Sequence, residues 1–155
     1  MKLVTLKRKE ILDTISLTGE YIPNPAYNFM PDKYSKMFEE YTKHTGIKIR
    51  AAIWAWYTAA YKRADCVSDI QLINSMKNFY YDENKTIAIL LDVPDNLVFL
   101  TDAYAWASYT SDPLDIRLKN PYLWDAKVDW NKVEYVQAIF PSIKKEYILE
   151  YMEID

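Results

Sequence analysis

The chain has 155 residues, half of them hydrophobic and 15% aromatic, with a formal net charge of −3. That length suits one core, and with only two glycines and so many rings the composition excludes low-complexity and disordered classes. The acidic balance argues against broad electrostatic capture of nucleic acid, for which Lys7-Arg8-Lys9 is too short a run.

Residues 2–6 read as an opening strand, and Ile11, Leu12 and Ile15 follow at helical spacing with Gly19 placed as the stop. Beyond the Pro23-Asn24-Pro25 turn, Tyr34, Met37, Phe38 and Tyr41 form the apolar stripe of a helix begun by Pro31 and ended by Gly46. Residues 48–57 are apolar on both alternating faces, which predicts a central strand covered on two sides. Ser68 and Gln71 have the form of a capping box, opening a helix with Ile70, Ile73, Met76 and Tyr80 along one face. Residues 86–93 and 97–100 read as two strands around a Pro94-Asp95-Asn96 turn. Thr101 or Asp102 caps a short helix carrying Tyr104, Trp106 and Tyr109, and the next twenty residues are loop-like. Residues 133–140 alternate as a strand, Pro141 and Ser142 break it, and a helical turn at 143–146 leads into a last strand over 147–154. No linker or repeat divides the chain, so residues 1–155 are expected to form one α+β domain, a mixed or antiparallel split sheet flanked by several helices.

The chemistry is bounded by what is scarce. One cysteine and one histidine, distant in sequence, cannot build a zinc site, so no metal is expected. Two glycines leave no phosphate loop and no dinucleotide fingerprint. Cys66 beside Lys62 and Arg63, with His44 as base, reads more simply as an inert thiol and a helix-end imidazole. A single cysteine and the absence of an apolar stretch near residue 1, or of any run of membrane-spanning length, lead to the expectation of a cytoplasmic chain with no membrane association. Asp92, Asp95 and Asp102 suit turns and caps. Carboxylate chemistry and aromatic stacking remain.

Three segments resemble an uncharacterised family of small bacterial and phage proteins: residues 2–6 with Gly19, the block Ile53-Trp54-Ala55-Trp56-Tyr57, and residues 92–102 with Trp106. That family has no activity to carry over. The order strand, helix, glycine at the start, and Glu134-Tyr135-Val136-Gln137-Ala138 leading through Pro141 to Tyr147-Ile148-Leu149-Glu150-Tyr151, resemble the ADP-ribosyltransferase fold. The resemblance implies NAD as cofactor, Glu134 as the carboxylate stabilising positive charge on the ribose, Thr5 where the family holds NAD with His or Arg, and Trp54, Trp56 or Tyr57 stacking on nicotinamide. Gln137 faces away from Glu134. The expected activity is that of a bacterial or phage conflict protein, a toxin or anti-defence factor, modifying a macromolecular acceptor. The alternative is a non-catalytic inhibitor or immunity factor of phage or mobile-element origin, gripping a protein partner through an exposed aromatic patch. A third reading keeps the fold without the cofactor and uses the cleft to grip a peptide or nucleic acid.

Overall fold

The computed structural model describes residues 1–28, 30–79, 84–111, 123–124 and 127–154. Its centre is a sheet in which β1 (Lys2–Lys7) pairs with β3 (Ile53–Ala59) on one side and β5 (Ile87–Asp92) on the other. Outward from β3 come β7 (Val136–Phe140) and β6 (Phe99–Asp102), and outward from β5 comes β9 (Ile148–Glu153). The order is β6-β7-β3-β1-β5-β9, with the two-residue β4 (Lys62–Arg63) folded back on β3, and the ladders are antiparallel. A separate two-stranded sheet joins β2 (Glu20–Tyr21) to β8 (Ile143–Lys144). The fold is α+β, and its sheet is antiparallel among the described residues.

Alternation along the central strands decides which helix each face receives. Leu3, Ile53, Ala55, Ile89, Leu91, Ala138 and Phe140 pack with Ile11 and Ile15 of α1 (Glu10–Thr18). Val4, Leu6, Trp56, Ala88 and Leu90 point the other way, onto Leu72, Ile73 and Met76 of α3 (Ile70–Phe79). Farther along that second face, Trp54, Ile139 and Phe99 pack beneath Met37, Phe38 and Tyr41 of α2 (Pro31–Thr45) and Trp106 and Tyr109 of α4 (Ala103–Ser111). Gly19 and Gly46 close their helices in the left-handed region at φ 83° and 75°, where a side chain would be strained.

Some boundaries differ from the sequence expectation, each for a physical reason. The central strand begins at Ile53 rather than 48, because its neighbour β7 ends at Phe140 and Pro141 cannot extend the ladder. The strand expected from 133 begins at Val136, because β6 gives way to α4 after Asp102 and Ala103 donates to the Tyr135 carbonyl instead. Strand β6 starts at Phe99, since residues 95–97 form a 3-10 turn. Helix α3 is capped by Asp69, not Ser68. The Asp69 carboxylate accepts from the amides of Gln71 and Leu72 at 3.0 and 3.1 Å, and these two bonds begin one residue later than a Ser68 cap would require. Leu72, with Ile73 and Met76, faces the core while Ile70 is exposed. Asp102 is the cap of α4, accepting from the Tyr104 and Ala105 amides. Tyr80 and most of the expected loop after Ser111 lie outside the described residues.

Candidate functional site

The five residues assigned to a nucleotide site are distributed over both faces of the sheet. Thr5 shares the α1 face with Ala55 and Tyr57, is fully buried, and donates its hydroxyl to the Trp54 carbonyl at 2.7 Å. Tyr57 lies on that face too, its ring covered by the Arg63 guanidinium at 3.3 Å. Trp54 and Trp56 point to the opposite face, where rings of the protein itself occupy the stacking positions. Trp54 packs against Tyr34 and Trp106 at 5.8 and 5.4 Å between centroids, and Trp56 against Phe79 and Tyr135 at 5.2 and 5.9 Å. Glu134 is half-buried and stands two residues ahead of β7, outside the ladder. His44 is engaged elsewhere, its Nδ1 at 2.8 Å from the Glu40 carbonyl and its ring on Phe99, and no hydrogen bond joins it to Cys66.

Around Glu134 a different site takes shape, built by backbone bonds that converge on residues 134–135. Ala59 pairs with Lys62, so Ala60 and Tyr61 form a two-residue hairpin turn, and both take positive φ, 50° and 62°. Such turns ordinarily use Asn-Gly; a non-glycine residue there costs about 1 kcal/mol or more. The strained turn is tied to the head of β7, for the Tyr61 amide donates to the Glu134 carbonyl at 2.9 Å. One residue on, the Tyr135 carbonyl receives the Ala103 amide at the start of α4, also at 2.9 Å. Residues 134–135 are thereby clamped between the β3–β4 turn and α4.

The clamp gathers aromatic rings. Tyr135 meets Phe79 at 5.1 Å and Tyr104 edge-on at 5.4 Å, while Phe79 and Tyr104 lie 5.3 Å apart. Tyr61 is 65% exposed and Tyr104 51%. The Tyr104 hydroxyl is pushed above its ordinary pKa first by partial desolvation and then by the nearby negative groups, Glu134 foremost, with Tyr135, Asp102 and Tyr61 adding. A carboxylate, Glu134, thus stands near the exposed Tyr61 and Tyr104. Under it, one step along the sheet face, Thr101 sits opposite Gln137 and Gln137 opposite Trp56. Thr101 Oγ1 and Gln137 Nε2 are buried with no hydrogen-bond partner among the described residues.

Glu134 and Trp56 were visible in the sequence as candidates; Glu134 stands at this patch, while Trp56 is buried against its rings Phe79 and Tyr135. Tyr61 and Tyr104 were not singled out as its exposed members. The signal that would have found Tyr61 is the spacing of a hairpin whose two turn positions are filled by Ala and Tyr. Among the described residues no helix is long and apolar enough to cross a membrane, and no cluster of acidic, histidine or cysteine side chains has the form of a metal site. No family model matches the chain, and neither a curated protein nor a solved structure does.

Proposed function

We propose that the protein is a non-catalytic recognition module that holds a basic segment of a partner protein against Tyr61, Tyr104 and Tyr135. The observation that carries this reading is the strained Ala60-Tyr61 turn, which keeps a tyrosine in solvent beside a second exposed tyrosine and the Glu134 carboxylate. Tyrosines are enriched among the residues that dominate binding energy, and a ring face beside a carboxylate attracts Lys or Arg by both quadrupole and charge. The molecule uses this contact internally, with Arg63 over Tyr57 and Lys33 over Tyr109. An inhibitor or immunity factor of phage or mobile-element origin is the class of binding protein to which such a module would belong. Catalysis on NAD has less support. Thr5 is buried, and the rings of Trp54 and Trp56 are covered by their neighbours rather than lining an open wall around Glu134.

The test is fluorescence anisotropy with a short labelled peptide alternating Arg and Gly, run against its Gln-for-Arg counterpart. The Arg peptide is expected to bind more tightly, and Tyr61→Ala/Tyr104→Ala to weaken it by about tenfold. Both side chains are exposed, so the variant should keep its fold. Equal affinity for the two peptides, or an unchanged affinity in the double variant, would overturn the reading. A thermal shift with millimolar NAD is run in parallel, since a ligand held by the native state alone raises its apparent stability. A shift that disappears in Glu134→Gln would restore the ADP-ribosyltransferase-like interpretation.

A further inference from the structure

A second surface, independent of the tyrosine patch, lies along α2. Pro31, Ser35, Phe38, Glu39, Thr42 and Lys43 recur at the spacing of one helical stripe and form one wall of a groove of about 810 Å³. The opposite wall exists because Gly46 turns the chain through the left-handed region and sends segment 47–50 back beside the helix. Asn28 fixes that wall by donating its side-chain amide to the Arg50 carbonyl at 3.1 Å.

The charges of this groove oppose those of the chain as a whole. Lys43 already serves Glu40 at 2.9 Å, and Glu39 more loosely at 3.9 Å. Lys48 and Arg50 are exposed, line the groove, and form no ion pair or side-chain hydrogen bond among the described residues. Pro31 and the half-buried Ile49 contribute apolar surface to the lining.

We infer that this groove holds an acidic, partly apolar segment of a partner protein, its carboxylates on Lys48 and Arg50 and its apolar side chains on Pro31 and Ile49. The stripe from Pro31 to Lys43 runs about 18 Å along the helix, which an extended segment of about six residues would span. Nucleic acid fits less well. Two unpaired cations neutralise few phosphates, the Glu39 carboxylate stands on the rim, and Phe38 is too buried to offer a base its ring face.

The probe is a labelled six-residue peptide alternating Glu and Leu, compared with its Gln-for-Glu counterpart and with hexathymidylate. The Glu peptide is expected to bind at least about fivefold more tightly than the Gln peptide, and to lose that advantage as ionic strength rises. Lys48→Glu/Arg50→Glu should remove the advantage, and Ser35→Trp, which fills the groove without altering its charge, should weaken both peptides. Tyr61→Ala/Tyr104→Ala should leave Glu-peptide binding intact, so failure at one surface is distinguishable from failure at the other. Equal affinity for the Glu and Gln peptides, or an advantage that survives the charge reversal, would overturn the inference. Tighter binding of hexathymidylate than of the Glu peptide would overturn it in favour of a nucleic-acid groove.

Discussion

Thr101 and Gln137 face each other across β6 and β7 at the seam where the territory of α3 meets that of α4, and neither Thr101 Oγ1 nor Gln137 Nε2 has a partner among the described residues. A buried hydroxyl without a hydrogen bond is unfavourable, whereas a methyl group of the same shape is not. Thr101→Val is therefore expected to raise unfolding free energy by about 1 kcal/mol, read as a higher urea midpoint at unchanged slope. A lower midpoint would mean that the hydroxyl is satisfied and structural. Part of this arrangement was legible beforehand: alternation alone puts Gln137 opposite in sense to Glu134. What lies across from Gln137 was not, because that depends on the register of two strands distant in sequence. The tryptophans follow the same logic. Their spacing put Trp54 and Trp56 on one face, but only the packing of α2, α3 and α4 reveals that this face is closed by Tyr34, Trp106, Phe79 and Tyr135.

Helix α2 is held to the sheet by one buried hydroxyl as well as by its apolar stripe. Tyr41 is fully buried and donates to the Leu97 carbonyl at 2.6 Å, just ahead of β6. Burial pushes its phenol from 10.0 up to about 12, against a smaller lowering influence from Thr45. The folded state thus retains the proton at a pH where the unfolded chain releases it. Stability from this group is complete below pH 10.0 and falls as pH rises toward about 12. Tyr41→Phe should cost about 1 kcal/mol at neutral pH and make the loss of stability above pH 10.0 shallower than in the parent chain. An identical alkaline slope in the two proteins would show that Tyr41 does not govern it. The termini of the helices were more readable than those of the strands. Gly19 and Gly46 announce their stops because the left-handed cap is a local requirement. Strands β3 and β7 end where their partners end, and a partner is not a local property.

The order β6-β7-β3-β1-β5-β9 brings both ends of the described chain into neighbouring strands around β5, a consequence of pairing that no segment announces by itself. The α+β class and most elements followed from periodicity, while the sheet order and the converging bonds at Glu134 required the assembled molecule. Strand β5 is apolar on both faces, five of its six residues being buried, whereas β9 presents Leu149, Glu150, Tyr151 and Glu153 to solvent and pairs Glu153 with Lys9. A charged strand is a tolerable edge; an apolar one invites pairing with other chains. The outermost strand is thus both a structural member and a cover. Deleting residues 148–154 would strip β5 of its ladder from Ile87 to Leu91 and of the further bond from the Ile154 amide to the Thr86 carbonyl. The shortened chain is expected to lose its cooperative thermal transition and to elute as aggregate in size-exclusion chromatography. Adding a synthetic peptide of residues 146–154 during refolding should recover part of the elution peak of the parent chain by restoring the missing ladder. A shortened chain that elutes without aggregate and melts cooperatively would show instead that β1, β3 and β7 suffice to hold β5, and that β9 is dispensable to the sheet.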